Sequence, residues 1–385
     1  MTASEKTRQS YDRRPYPGEG LRALIKKGGA LPPLEWMLAL GRTGQSKPGR
    51  VLVAGCGLGV EAFVLRKHLP EAEIVAVDFS ARSIAEAKRL QRADGRAKPI
   101  RFLVADLTDP ALAEKTGDGF DLITCHGVLS YLQDTAQVLN NLATILASDG
   151  ALYLGVNGEA HTSTRLRPWL ASFGLDVTEL SDEKRLRELL KLWDSQQDAD
   201  ARLLASMPIS YLAGDVCGPH FNNWSLGQWR SAANKSGLEL AATWLLPMAL
   251  RLAIEDDRNT PLLPREVGSL AERLDQARPA GFHKLIFRKS PGTAEDGRGL
   301  KWTGLYRVRV ANGESKGTKR VFLTSKTLGV NAEFKLKATQ IEPLRRLVGT
   351  QKRSEVWSDQ RWQNDQARRV LSLWEGLGAV ARLRS

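Results

Sequence analysis

From Arg50 to Gly158 short apolar runs alternate with stretches whose apolar residues recur at helical spacing. The runs Arg50–Ala54, Glu73–Asp78, Ile100–Ala105, Phe120–Cys125 and Gly150–Val156 are expected to be strands. Helices are expected over Leu58–Leu69, Ala81–Arg92 and Thr135–Ala147. Strands separated by helical stretches read as consecutive βαβ units, hence a parallel sheet covered on both faces. Val51-Leu52-Val53-Ala54 has no polar alternation, as a strand buried on both faces requires. Two later runs, Leu238–Leu246 and His283–Lys289, are expected to complete the sheet.

The flanks differ in character. Residues 1–49 hold a Tyr/Pro segment, Tyr11-Asp12-Arg13-Arg14-Pro15-Tyr16-Pro17, and a helix is expected after Pro33. Residues from about 159 to 237 read as a helical insert that turns aromatic and irregular around His220-Phe221-Asn222-Asn223-Trp224. A Gly/Asp/Pro-containing linker then leads into residues 295–385, where Lys301–Val310 and Lys319–Leu323 look strand-like and Ile341–Val348 and Gln363–Glu375 helical. The expected organisation is an N-terminal segment at 1–49, an α/β domain at 50–290 and a small α+β domain at 295–385. The helix, Gly turn and short apolar strand ending at Leu383 bear a loose likeness to a winged-helix unit.

Charge sharpens that division. The net charge is +13, but the last 95 residues hold 19 Lys/Arg against 9 Asp/Glu, and the first 290 are nearly balanced. Such a basic module is expected to meet an acidic partner or to self-associate, with a plain solvated appendage as the bland alternative. The polar opening residues and the absence of a long apolar run argue against a signal peptide or membrane span. Three widely spaced cysteines, Cys56, Cys125 and Cys217, suggest reduced thiols in the cytoplasm, with no disulfide framework and no metal site.

The chemistry gathers at strand ends. Gly55-Cys56-Gly57-Leu58-Gly59 closes the first strand and opens a helix. Glycine lets the backbone turn tightly and approach a ligand, and the helix start presents free N–H groups to an anionic or polar moiety. Asp78 ends the second strand, where a carboxylate can accept both ribose hydroxyls; the alternative is a cap for the helix from Ala81. Asp106 ends the third strand, placed to accept from an adenine amino group, with Phe79 and Leu107 on either side of the ring. A dinucleotide fingerprint needs its third glycine at G-x-G-x-x-G, whereas here it falls one residue early, at Gly59. That spacing, Asp106 and the late strand pair favour S-adenosylmethionine over a dinucleotide.

Ala54-Gly55-Cys56-Gly57-Leu58-Gly59, Val77-Asp78-Phe79-Ser80, Ala105-Asp106-Leu107 and Phe120-Asp121-Leu122-Ile123-Thr124-Cys125-His126-Gly127 resemble class I S-adenosylmethionine-dependent methyltransferases in order and spacing. Tyr11, Tyr16-Pro17 and the Gly-Cys-Gly loop resemble more narrowly the bacterial methyltransferases often joined to tetratricopeptide repeats, although no repeat array occurs here. The resemblance implies a Rossmann-like sheet with a helical lid, and Tyr11 and Tyr16 folded over the cofactor. One departure is Val53, where most class I enzymes carry an acid two positions before the first glycine. The cofactor's amino group is then left to backbone carbonyls near Gly55, helped by Glu61.

Transfer from a sulfonium is an in-line displacement that mainly requires alignment, worth up to about 7–11 kcal/mol. His126 at the fourth strand's end is a candidate base and cofactor neighbour, or else a packed loop histidine. Tyr131 is a candidate for orienting the acceptor, and His220 in the aromatic segment a second base candidate. The segment Thr124-Cys125-His126-Gly127 lacks the Asn/Asp-Pro-Pro-Tyr/Phe turn of enzymes that methylate base amino groups. No helix carries base-reading side chains, so specific DNA binding is not expected. The expected activity is methyl transfer to a protein or peptide side chain. A small-molecule O- or N-methyltransferase is the first alternative, and a non-catalytic cofactor-binding or RNA-binding scaffold the second.

Overall fold

The computed structural model describes residues 3–16, 21–41, 47–94, 98–178, 180, 182–194, 204, 206–244, 264–289, 299–313, 316–326, 330–337 and 380–383. The central feature is a seven-stranded sheet in the order β3-β2-β1-β4-β5-β7-β6. Its strands are β1 Arg50–Ala54, β2 Glu73–Asp78, β3 Arg101–Val104, β4 Phe120–His126, β5 Leu146–Asn157, β6 Leu238–Thr243 and β7 Phe282–Lys289. Strands β1 to β5 pair in parallel, and β7 runs antiparallel between β5 and β6. This is the Rossmann-like α/β sheet of class I methyltransferases, as expected from the sequence.

Alternate side chains explain why the strands show no polar face. Leu52, Ala54, Val75, Val77, Ile123 and Cys125 enter one buried cluster, with Val138 and Leu142 of the helix Thr135–Ile145. Val51, Val53, Ile74, Ala76 and Leu122 point the other way, onto the helices Val60–His68 and Ala81–Asp94. The boundary between the helix Thr135–Ile145 and β5 lies earlier than expected. The strand starts at Leu146, and a register irregularity between Phe120 and Leu122 absorbs the added residues.

The helix Leu34–Gly41 lies against β5, β6 and β7. Trp36 is fully buried there, its ring 5.1 Å from that of Trp244. Gly41 allows the close approach, since a Cβ would stand 2.4 Å from Ala151 Cβ and 2.7 Å from Ile286 Cγ2.

The segment expected as a lid contains two kinds of helix. Thr162–Ser172, Glu183–Asp194 and Ile209–Asp215 share a separate apolar cluster built on Leu166, Leu170, Leu186, Leu190 and Leu212. The helix Leu226–Lys235 instead joins the main core through Leu226, Trp229 and Ala233. Trp229 is fully buried and its Nε1 donates to the Asn157 carbonyl at 2.9 Å. This helix opens on a reciprocal cap, in which Ser225 Oγ accepts from Gln228 N–H and the Gln228 side chain accepts from Ser225 N–H. Ser225→Ala is expected to lower unfolding free energy by about 0.5–2 kcal/mol, measured by urea titration.

In the C-terminal region the expected strand Lys301–Val310 is two strands, Gly299–Trp302 and Arg307–Asn312. Gly304 between them has φ +77°, which turns the chain and ends the first strand. Arg307–Asn312, Thr318–Ser325 and Val330–Lys337 form an antiparallel sheet, while Val380–Leu383 pairs with Gly299–Trp302. Leu305, Tyr306, Val321 and Leu323 are buried in continuity with the main core. The helices expected over Ile341–Val348 and Gln363–Glu375 lie outside the described residues.

Candidate active site

The parallel order brings the C-terminal ends of β1, β2 and β4, and the turn after β3, to one rim of the sheet, where α/β folds bind ligands. A cavity of about 840 Å³ opens there, lined from these strand ends, the N-terminal arm and the lid. It brings together Tyr11, Tyr16, Gly55, Cys56, Gly57, Glu61, Asp78, Phe79, Asp106, Leu107, His126 and Tyr131. Gly59 stands just behind it, in the left-handed conformation before the helix Val60–His68, its N–H donating to the Cys56 carbonyl at 2.8 Å.

Asp78 organises the glycine loop. Its Oδ2 accepts from Gly57 N–H at 2.8 Å and its Oδ1 from Ser80 N–H at 2.9 Å. Burial raises its pKa, while the two backbone N–H donors pull against that rise. Gly55 and Gly57 have φ of +72° and +49°. A Cβ on Gly55 would overlap Val128 at 2.3 Å, and one on Gly57 would press on the Tyr16 carbonyl at 2.8 Å. That carbonyl also accepts from Leu58 N–H at 3.3 Å, so the N-terminal arm is laid on the glycine loop by backbone contacts. The helix Ala3–Arg13 is tied on through Ser80 Oγ donating to Asp12 Oδ1 at 2.6 Å and Arg82 donating to the Asp12 carbonyl at 2.9 Å.

In the turn after β3, Asp106 Oδ1 accepts from the N–H and hydroxyl of Thr108 at 2.9 and 2.8 Å, and Oδ2 pairs with Arg8 at 2.9 Å. Phe79 meets Tyr11 edge-on with ring centroids 5.9 Å apart, and Leu107 is buried. Glu61, half-buried in the cavity wall, has its pKa raised by desolvation.

The three expected acceptor-side residues fare differently. His126 is held by an Nδ1 hydrogen bond to the Tyr153 hydroxyl at 2.7 Å and packs 5.1 Å from Phe282. Burial, with Lys284 nearby, lowers its pKa to about 4, so it is neutral and a weak proton acceptor at pH 7. Because the unfolded imidazole titrates near 6.5, unfolded chains bind the extra proton as pH falls from there towards 4, and stability is lost across that window. At pH 5 the share of the loss due to His126 is expected to be roughly 2 kcal/mol relative to pH 7, so His126→Gln should lose less by that amount, as read by urea titration at both pH values. Tyr131 reaches into the lid, its hydroxyl donating to Asp215 Oδ1 at 2.6 Å. His220 lies outside the cavity lining; its Nε2 meets Asn222 Oδ1 at 2.9 Å beside a small crevice.

Four titratable lining residues escaped sequence reading: His161, Tyr211, Asp215 and Lys284. They come from the lid and β7, at separations no local motif spans. Asp215 is the hub of the first three. Tyr131 and Tyr211 donate to its carboxylate, and His161 Nε2 stands 3.6 Å from Oδ2. Among the described residues no group of three or more His, Cys, Asp or Glu is arranged to hold a metal ion, and no helix is long and apolar enough to cross a membrane. The three cysteines are free and buried.

Residues 52–152 match the family model of a methyltransferase domain. That segment holds β1 from Leu52 on, β2 to β4 and the first part of β5, with the Gly55–Gly59 turn, Asp78 and Asp106. An uncharacterized protein of Synechococcus is 36% identical over 157 residues, 39% of this chain and 36% of that one. Malonyl-[acyl-carrier protein] O-methyltransferase of Bacillus anthracis is 34% identical over 119 residues, 30% of this chain and 41% of that enzyme. The chain thus spans less than half the length of these curated relatives. The structure of PKMT2 from Rickettsia typhi in complex with AdoHcy superposes with a TM-score of 0.52 at 16% identity, over 98% of this chain and 76% of that one. The two share a fold. The glycine cradle, which Cβ atoms would fill, and the buried Asp78 beside it fit a nucleoside-containing methyl donor such as S-adenosylmethionine.

Proposed function

We propose that the chain transfers a methyl group from S-adenosylmethionine, by in-line displacement, to a nucleophile on a protein or peptide side chain. The observation that carries the methyltransferase reading is the cavity in which Gly55, Gly57, Asp78 and Asp106 meet the Tyr11–Tyr16 arm. In this reading Asp78 accepts the ribose hydroxyls and Asp106 the adenine amino group, and Phe79 and Leu107 flank the ring. The backbone around Gly55 and Cys56, with Glu61, receives the amino acid end, and Tyr11 and Tyr16 exclude water. The bound cofactor supplies an already activated methyl carbon, so the protein's work is alignment and desolvation. Tyr131 and His126 lie on the acceptor side, with His220 a less direct candidate.

The protein or peptide acceptor is supported by the lid with its own apolar core and by the basic C-terminal module, which suits an acidic partner or a second copy. The narrower likeness to methyltransferases joined to tetratricopeptide repeats points the same way, and three free buried thiols suit the cytoplasm. A small-molecule acceptor is the second reading, favoured by the curated relatives with small-molecule names, such as demethylmenaquinone methyltransferase of Thermus thermophilus, 35% identical over 109 residues.

The test is to incubate the full chain with S-adenosyl-[methyl-³H]methionine and an unfractionated cell extract, then separate acid-insoluble from acid-soluble label. Label in precipitated protein is expected. Label confined to the soluble fraction selects the small-molecule reading. S-adenosylhomocysteine binding without any transfer would leave a scaffold.

A further inference from the structure

The small C-terminal sheet has one covered face and one open face. In the strand Arg307–Asn312, Val308 and Val310 pack against the main core, which also takes Val321 and Leu323 of the neighbouring strand Thr318–Ser325. The alternate positions Arg307 and Arg309 are exposed, and in register they stand opposite Thr324 and Phe322. Phe322 in turn stands opposite Glu333 of the strand Val330–Lys337. The three strands hold six Lys or Arg and a single acid, Glu333.

Glu333 shows how this face treats a carboxylate. Arg320 donates to both of its oxygens, from Nε to Oε1 and from Nη2 to Oε2 at 2.9 Å, a two-pronged pair between neighbouring strands. Across the middle strand the Arg309 guanidinium lies 4.2 Å from the Phe322 ring centroid. Among the described residues no carboxylate pairs with Arg307 or Arg309. Arg307–Asn312 is also an edge, since among the described residues its far side pairs with no strand. An open edge presents backbone donors and acceptors to an incoming strand, and the charges beside it decide which strand is admitted. A second copy of the same edge would bring arginines together on one face, which opposes self-pairing.

We propose that this edge docks an extended segment of a partner protein that bears Asp or Glu at alternate positions. Alternate side chains of an extended chain repeat on one face every ~6.4–6.8 Å, the spacing that Arg307 and Arg309 also have, so two acids meet two guanidiniums in register. The segment joins the sheet beside Arg307–Asn312 by main-chain hydrogen bonds, and its acids repeat the pairing that Glu333 makes with Arg320. Its intervening side chains fall on the side of Val308 and Val310. The proposal gives the acidic partner of the basic module a definite seat. It rests on this sheet alone and needs no methyl donor, so it stands or falls apart from the methyl-transfer reading.

The experiment is fluorescence anisotropy of the full chain, without methyl donor, against fluorescein-labelled peptides of one length. The probes are a Glu-Thr repeat, a Gln-Thr repeat and a Glu-Glu-Thr-Thr repeat, the last having the same charge as the first but never placing acids two residues apart. The Glu-Thr repeat is expected to bind roughly two-fold to thirty-fold more tightly than the Gln-Thr repeat, with the Glu-Glu-Thr-Thr repeat between them, and to weaken as salt is added. The double variant Arg307→Glu/Arg309→Glu should release the Glu-Thr repeat and take up a Lys-Thr repeat instead. Lys88→Gln/Arg92→Gln, which removes as many exposed cations from the helix Ala81–Asp94, should change neither. Hydrogen exchange read by mass spectrometry should slow over residues 307–312 when the Glu-Thr repeat binds. Equal binding of the two acidic repeats, binding that survives the charge reversal, or unchanged exchange over 307–312 overturns the proposal. So does an oligouridylate that binds more tightly than the Glu-Thr repeat and is lost with the same two arginines, because the face then serves nucleic acid. A mass that rises with protein concentration and falls back in the double variant gives the edge to a second copy and overturns it too. The wild-type comparison of repeats and the exchange measurement decide the matter even where the variant does not fold.

Discussion

Asp78→Ala is expected to weaken S-adenosylhomocysteine binding by roughly a hundred-fold or more, measured by isothermal titration. Two effects act together. The carboxylate holds Gly57 N–H and Ser80 N–H at 2.8 and 2.9 Å, and alanine leaves both donors without that partner at the cavity wall. Each unsatisfied group costs about 1–3 kcal/mol, so the loop is expected to loosen before any ligand arrives. The ligand then loses the acceptor proposed for its ribose hydroxyls, a hydrogen bond to a charged group worth about 1.5–3 kcal/mol. Far-UV circular dichroism separates this from global unfolding. Unchanged affinity in a folded Asp78→Ala protein would put the nucleoside elsewhere in the cavity.

Gly57→Val is expected to lower unfolding free energy by about 2–5 kcal/mol and to release the N-terminal arm. At φ +49° a branched L-side chain is strained, and its Cβ would stand 2.8 Å from the Tyr16 carbonyl oxygen. That oxygen belongs to the backbone, so relief requires the arm to lift and the Leu58 N–H bond to it at 3.3 Å to break. Limited trypsin digestion reads the second effect: cleavage after Arg13, exposed beside Tyr16, should become faster in the variant. A variant as stable and as protease-resistant as the wild type would mean that the arm does not rest on the loop.

The periodic part of this chain was legible because its strands are locally written. β1 and β2 fall at the residues expected from their apolar runs, and the Gly55–Gly59 turn and Asp78 follow them within a span that one βαβ unit closes. The boundary before β5 was misplaced because Leu146–Gly150 carries no pattern of its own and is strand only through its pairing with β4. Lys301–Val310 reads as one strand-like stretch, and the positive φ at Gly304 divides it. Val330–Lys337 went unread although its alternating Val330, Ala332, Phe334 and Leu336 are a strand signal; it faces Thr318–Ser325 in full register.

What the amino-acid order determines by itself is the α/β sheet and the strand-end side of the cavity. Both depend on contacts between neighbouring elements, glycine conformations and residues at successive strand ends. The lid side of the cavity beyond Tyr131 depends on tertiary structure. Asp215, Tyr211 and His161 carry no motif and lie 84, 80 and 30 residues from Tyr131 in the chain. They meet where the insert, held together by its own apolar cluster, lines the cavity with the strand ends. Their electrostatics follow from that burial, which keeps the tyrosines protonated and makes the orientation of a few donors decide the charge of one carboxylate.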